Sequence, residues 1–433
     1  MQVDINYAKG FLTINLDDDY EVTVVGKKPM PVLADPQAGI IDAIENPIGE
    51  GPTMDKLAGP GKTACILICD ITRPVPNGLF LPILIRRLMD RGVAANDITV
   101  LVATGLHRPN EGSELVELVG SEWVMNTVRV ENHFARDDAA HTDLGVTDTR
   151  GTTVRIDSRF VNADIRIATG LVEPHFMAGY SGGRKVIAPG VAHAETITTF
   201  HNAEFMENPN AINCNLTGNP LHEEQLQIVK KVGGALALNT VIDEERRLSY
   251  VTFGEIIESH MQAVNFVKNY TEVSVPRLYK TVVTSAAGYP LDKTYYQTVK
   301  GMVGAMDILE PGGNLIIASA CDEGIGSEEF AASQKRLVAL GPDGFLKEIQ
   351  QKSRADIDEW QTEMQLKPMR IGNIHLYSDG LSPDDQAITG VNCIASVEDA
   401  IAQSVKETGD KAIAIIPEGP YVIPSHLPQA KAS

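Results

Sequence analysis

TACILICDITRPVPNGLFLPILIRRLMDRGVAANDITVLVATG, residues 63–105, decides the architecture. Its first eight residues are an apolar run that ends on Asp70, and 97–105 is a second such run that ends on a glycine. Between them, LFLPILIRRLMDRG is apolar on one face and basic on the other, and it closes on Gly92 as helices often do. Strand, amphipathic helix, strand is the unit of a parallel sheet covered by helices. The pattern recurs. Further strand candidates are TVRVENH (127–133), ADIRIATG (163–170), YKTVVTSAAG (279–288), GNLIIASAC (313–321), NIHLYSDG (373–380) and KAIAIIPEG (411–419).

A chain of 433 residues exceeds one ordinary domain. The expected fold is α/β, with two α/β domains of mostly parallel sheets and the active site in the cleft between them. VKNYTEVSVPRLYK (267–280) has a proline and little periodicity before a fresh strand, so the boundary is expected there. The expected division is 1–275 for cofactor binding, 276–410 as the second α/β domain, and 411–433 as a segment returning to the first domain.

A net charge of −20 argues against nucleic acid or an anionic membrane as partner, since either asks for a basic footprint. It leaves room for a small anionic substrate in a local basic pocket. Five cysteines without CxxC spacing fit neither a disulfide framework nor a cysteine-ligated zinc site. With no leader-like start and no long apolar span, a reducing cytoplasm is the expected compartment.

LVATGLHRP (101–109) and RIATGLVEPH (166–175) echo one another: strand, Ala-Thr-Gly-Leu, then a histidine and a proline. In a parallel sheet both would end at the carboxyl edge, where ligands bind. His107 and His175 are therefore expected to share one pocket as acid–base groups, although the ATG turn alone is common. In CDITRPVPNG (69–78), Arg73 has the fork to take a carboxylate or phosphate, with an internal Asp70–Arg73 contact as the plainer reading. His201 in TTFHN suits a metal ligand or a helix-end residue, and His193 reads as structural.

The stretch EPHFMAGYSGGRKVIAPG (173–190) carries a double glycine, Arg184 and Lys185. A Walker loop needs GxxxxGK[ST]; here Lys185 follows an arginine and Val186 stands where the hydroxyl belongs, so a P-loop is not expected. The glycines permit close backbone approach to a flat or anionic ligand, with Arg184 as a phosphate partner and Lys185 as a nucleophile or attachment point. In YPLDKTYYQTVKGM (289–302), helical spacing puts Tyr296 and Lys300 on one face with Gln297 close by, a set that suits a hydroxy acid. Trp360 is one of only two tryptophans and reads as packing or as a lid over a ligand.

DITRPVP, ATGLHRP, EPHFMAGYSGGRKVIAPG, TTFHN and YYQTVKGM, in that order over 70–302, together resemble the nickel-pincer lactate racemase family. The resemblance implies a nickel-pincer nucleotide, pyridinium-3-thioamide-5-thiocarboxylic acid mononucleotide, holding Ni²⁺ through two sulfurs and a ring carbon. It implies Lys185 as the attachment or contact residue and His201 as the remaining nickel ligand, imidazole being a reasonable partner for that ion. Gly182, Gly183, Arg184, Thr104 and Trp360 are assigned to the cofactor pocket. His107 and His175 become the acid–base pair, with Asp70 assisting. Arg73 and Lys300 become the carboxylate holders, with Tyr296 and Gln297 in the pocket.

The implied reaction is racemisation or epimerisation at C2 of a small 2-hydroxy acid, by proton-coupled hydride transfer through a 2-keto acid. Malate, an aromatic hydroxy acid or a sugar acid would serve the same chemistry. A metal-assisted hydrolase built on His107, His175 and His201, or a non-catalytic nucleotide-binding protein, are the weaker alternatives. Cofactor-synthesis proteins are expected partners, and a homo-oligomer is allowed.

Overall fold

The computed structural model describes residues 1–426. Two six-stranded sheets organise them. In the first, Ala64–Cys69 lies between Ile98–Ala103, with Arg129–Asn132 beyond it, and Ile165–Leu171 on the other side. These four strands are parallel, and so is Leu236–Ile242, which then pairs antiparallel with the edge strand Leu248–Glu255. The helix Asn77–Asp90 buries Phe80, Leu81, Leu84, Ile85 and Leu88, the apolar face expected from the opening stretch.

The second sheet is parallel throughout, in the order Asn392–Ile394, Asn373–Tyr377, Leu309–Ala318, Tyr279–Ser285, Ala412–Ile416, Glu21–Val24. All eight strand candidates are therefore strands, and the α/β class with mostly parallel sheets holds.

Two features depart from the expected path of the chain. Ala412–Ile416 does not return to the first sheet; it sits inside the second, between Tyr279–Ser285 and Glu21–Val24. All five of its residues, AIAII, are buried, and a strand buried on both faces needs neighbours on both edges and layers above and below. The amino-terminal residues also join this sheet. The hairpin Gln2–Tyr7/Gly10–Asn15 contributes Val3, Ile5 and Ile14 to a core shared with Val283, Ile316, Ile413 and Ile415. A weaker return toward the first part does occur, since Ile423–Ser425 pairs with Glu272–Ser274 just before residue 275. The expectation for the last seven residues, 427–433, lies outside the described residues.

In the first sheet the chain steps from Ala64–Cys69 outward to one side and then resumes at Ile165–Leu171 on the other. That reversal opens a crevice beyond the carboxyl ends of these two strands, the usual ligand position in such sheets. The helix Tyr295–Ala305 of the second part packs over it and brings Tyr296 and Lys300 into the same cavity. Among the described residues no helix is long and apolar enough to cross a membrane.

The seating of Tyr295–Ala305 depends on Gly301. A Cβ there would stand 2.5 Å from the Ser285 carbonyl oxygen and 2.8 Å from Ile317 Cδ1. Gly301→Ala is expected to lose about 1–3 kcal/mol by overpacking, read from urea unfolding midpoints. Gly10→Ala, where a Cβ meets nothing within 4 Å, is expected to be near neutral.

Candidate active site

Asp70 follows the buried strand Ala64–Cys69, and His107 follows Ile98–Ala103 one strand away. The turn between Ala103 and His107 is tight: the His107 N–H donates to the Thr104 carbonyl at 3.0 Å, and Gly105 adopts φ +56° while its N–H donates to Gly190 O at 2.9 Å. The two side chains meet, with His107 Nδ1 2.6 Å from Asp70 Oδ2. Thr72 Oγ1 donates to the other Asp70 oxygen at 2.6 Å. Desolvation opposes charge on both groups, but the pairing outweighs it. The Asp70 carboxyl is held below the usual carboxylate range, and the His107 imidazole is raised above its ordinary value. With Nδ1 committed to Asp70, Nε2 is the nitrogen left to work on a ligand.

His175 is arranged the opposite way. It is buried, and its Nδ1 accepts backbone N–H groups, from Ala178 at 3.2 Å and from Met177 at 3.4 Å. A neutral ring in that setting carries its proton on Nε2. Burial, then the neighbouring Lys185, Arg73 and Lys300, hold this imidazole well below its ordinary value. Both histidines line one cavity, as the echo of the two ATG stretches leads one to expect.

The same cavity is lined by Asp70, Arg73, Thr104, Gly182, Lys185, His201, Tyr296, Lys300 and Trp360. Arg73 makes no side-chain contact with Asp70; its guanidinium is paired with the buried Glu173 carboxylate. Among the described residues, Lys185 and Lys300 have no ion-pair partner. Burial, with Arg73 and Arg184 adding to it, lowers the Lys185 amine to about 7. Burial, with Arg73 and Lys185 beside it, lowers Lys300 well below the ordinary lysine value.

Three expected pocket residues stand elsewhere. Gly183 (φ +49°) backs onto His260, and a Cβ there would lie 2.8 Å from its ring and Cβ. Arg184 is 2 % exposed and turned into the interior, where Nη2 donates to Ala178 O at 2.9 Å and Nη1 lies 3.0 Å from His260 Nε2. It is therefore an anchor of the loop and no phosphate partner. The short helix Arg184–Ile187 explains the divergence, because successive helical residues point about 100° apart and only one of Arg184 and Lys185 faces the cavity. Gln297 lines an adjoining cavity that shares Asp70, His107 and Tyr296 with the central one, and its Oε1 is buried without a partner.

His201 follows the helix Ala194–Thr199 and is buried, with Nδ1 2.9 Å from the Ile197 carbonyl. That bond places the proton on Nδ1 and leaves Nε2 as a lone-pair donor. Burial pushes the ring down to about 3, so it stays neutral. The Trp360 ring lies 4.9 Å from it, centroid to centroid. His193 is structural as expected, capping that helix through Nδ1 and the Glu195 N–H at 3.1 Å. Among the described residues no group of three or more His, Cys, Asp or Glu is placed to hold a metal. His107, His175 and His201 therefore do not form the three-ligand site a zinc hydrolase needs. A metal at His201 would take its other donors from a bound organic group, which suits a metal-carrying nucleotide seated between Lys185, His201 and Trp360.

Sequence reasoning passed over two residues that serve the site, one behind its wall and one in it. Glu173 adjoins the proline and histidine of the 173–190 stretch, and its partner Arg73 lies a hundred residues away. Asp358 had only its closeness to Trp360 as a signal.

The cavity brings two differently poised imidazoles and two lysines whose charge burial disfavours to a sheet switch point. Residues 7–213 match the family described as Lactate racemase N-terminal domain, and residues 277–423 match Lactate racemase C-terminal domain. The chain is 31 % identical over 428 residues to a lactate racemase of Thermoanaerobacterium thermosaccharolyticum, covering 97 % of this chain and 98 % of that protein. It is 30 % identical over 429 residues to a lactate racemase of Lactiplantibacillus plantarum, covering 97 % and 99 %. The structure of the lactate racemase apoprotein from T. thermosaccharolyticum superposes with a TM-score of 0.89 at 29 % identity, over 98 % of this chain and all of that one. A Thermotoga maritima protein shares the fold at a TM-score of 0.66 and 17 % identity, over 90 % and 97 %. The chain belongs to the lactate racemase family and is an isomerase.

The state of Lys185 is open to a direct check. Amine acylation at Lys185, followed by mass spectrometry across a pH series, is expected to reach half its maximal rate near pH 7. An exposed lysine would do so at about 10.4.

Proposed function

We propose that this enzyme interconverts the two configurations at C2 of a small 2-hydroxy acid, the substrate its named relatives suggest being lactate. The observation that carries the reading is the pair His107 and His175 on one cavity, one ring held against a carboxylate and the other buried beside cations. The two configurations of a bound hydroxy acid present the hydroxyl on different sides, so one base on each side is what the chemistry requires.

The substrate carboxylate enters a cavity short of counter-ions. Lys300 and Lys185 are both depressed by burial and then by Arg73, with Lys185 adding to the effect on Lys300, and an incoming anion reverses that and lets Lys300 take up a proton. Arg73, already fixed by Glu173, offers the carboxylate the rest of its fork. Removing the C2 hydrogen as a proton would place a carbanion beside that carboxylate, which is costly. When bound, the nickel-pincer nucleotide supplies a hydride acceptor for that hydrogen. Lys185 would hold the nucleotide as a neutral amine, His201 Nε2 would ligate the metal, and Trp360, Thr104 and Gly182 would wall it.

Whichever of His107 and His175 is neutral accepts the hydroxyl proton as the alcohol becomes a 2-keto acid. The other, as imidazolium, returns one after the carbonyl presents its opposite face, so the pair holds one extra proton before and after turnover. The bound carboxylate offsets the cations that otherwise hold His175 neutral. Asp70 holds the His107 ring and stabilises its charge while the proton resides there. Each proton transfer contributes roughly 10²–10⁴-fold. The nucleotide would reach the enzyme from cofactor-synthesis proteins, and five unpaired cysteines fit a reducing cytoplasm.

The test is a chiral assay of the loaded enzyme against lactate and a panel of larger 2-hydroxy acids. His107→Ala is expected to cut interconversion by at least about 10²-fold with nickel and nucleotide content unchanged. Activity that survives in this variant, or absence of interconversion with every acid tried, would sink the reading.

A further inference from the structure

His107 faces more than Asp70. The central cavity and the adjoining one share not only Asp70, His107 and Tyr296 but also Asp358, which comes from the second part of the chain. Asp358 stands just before the helix Glu359–Ile371 with φ 63° and ψ 1°, a left-handed conformation that aspartate tolerates better than most residues. Strained backbone of this kind tends to be kept where it aims a side chain at a site.

The carboxylate is held on its own side by donors. Ser327 Oγ donates to Asp358 Oδ2 at 2.5 Å while also capping the helix Glu328–Ile349 through the Phe330 N–H at 3.0 Å. Tyr296 lines the same two cavities, and its hydroxyl accepts from Trp360 Nε1 at 3.2 Å. Burial raises the Asp358 carboxyl above the usual carboxylate range, and Ser327 and then His107 act to lower it. What remains for Asp358 is the cation across the cleft. Arg108 is engaged by Glu114 at 2.6 and 2.8 Å, and Lys293 by Glu323. The charged groups that face His107 are Asp70, Asp358 and Lys300; those that face Asp358 are His107 and Glu329. Glu117 lies farther out on the adjoining wall.

We propose that Asp358 is a positioning residue for His107, a second carboxylate presented across the cleft that stabilises the ring when it carries the hydroxyl proton. His107 is then served from both parts of the chain: Asp70 fixes Nδ1 from the first sheet, and Asp358 closes the site from the helix layer of the second. The same layer carries Trp360, which faces His201. One short stretch, 358–360, thus shares a cavity with the proton-transfer residue and packs on the expected metal ligand, so the acid–base group is complete only when the two parts are together. Desolvation lowers the His107 imidazole, and Asp70 first and then Asp358 raise it, in accord with this arrangement.

The inference rests on the proposed role of His107, and the experiment separates the two. Histidine-labelled full-length protein is titrated by NMR, with the His107 signal identified by its loss in His107→Gln. Asp358→Asn and Asp358→Gly both suit a left-handed φ and both remove the charge. In each, the His107 midpoint is expected to shift to lower pH, by less than in Asp70→Asn. In loaded enzyme the acid limb of kcat/KM should move the same way, because a less stabilised imidazolium gives up its proton at lower pH. An unmoved midpoint and an unmoved limb in both variants, with only a lower Tm, would overturn the proposal. So would failure of both variants to fold, which would make Asp358 a residue of the fold alone. The NMR shift is read whether or not the enzyme proves active on any 2-hydroxy acid.

Discussion

Four cationic side chains, Arg73, Arg184, Lys185 and Lys300, are withdrawn from water around one crevice of an otherwise acidic chain, with one carboxylate, Glu173, paired directly to any of them. Burying charge without compensation is costly, so the groups that are able to lose it do. That constraint sets most of the chemistry described above. Lys185 drops toward neutrality and Lys300 follows it. His175, facing the same cations, is kept uncharged. Arg184 keeps its fork satisfied by a carbonyl and an imidazole, and burial brings it down to about 9. The cavity is thereby suited to anions, since a carboxylate or phosphate would favour the charged form of these amines.

His107 is the exception, and the exception makes the site asymmetric. Its ring leans on Asp70 and is the one imidazole of the pocket raised above its ordinary value. A histidine biased toward the proton and one biased against it thus face a single cavity. The sheet topology makes the pairing possible. The His107 and His175 strands flank Ala64–Cys69, and the reversal of strand order there leaves the loops of all three facing one crevice.

Much of this was legible in residue order. Apolar runs that end on a glycine or a charged residue marked the strands, and the repeated ATG turn marked the two histidines as neighbours before any geometry was known. Lys185 and His201 were legible as a pair only through the family resemblance. Where sequence reasoning failed, the failures share a cause, because adjacency in the chain does not say which way a side chain points. Arg184 and Lys185 are consecutive yet face opposite sides of the loop, and Gln297 opens onto the neighbouring cavity beside Tyr296. The destination of Ala412–Ile416 was equally hidden, since an apolar strand looks alike whichever sheet it enters. Glu21–Val24 was too short and too polar to stand out, and Asp358 gains its meaning from φ and from its neighbours across the cleft.

The account turns on the claim that the C2 hydrogen leaves and returns without passing through solvent while the histidines handle only the hydroxyl proton. Lactate deuterated at C2, incubated with loaded enzyme in ordinary water and separated into its enantiomers, tests that most directly. The account predicts that the newly formed enantiomer keeps its deuterium at C2. Deuterium lost to water at the rate of interconversion would contradict it, and would make His107 and His175 bases acting on carbon.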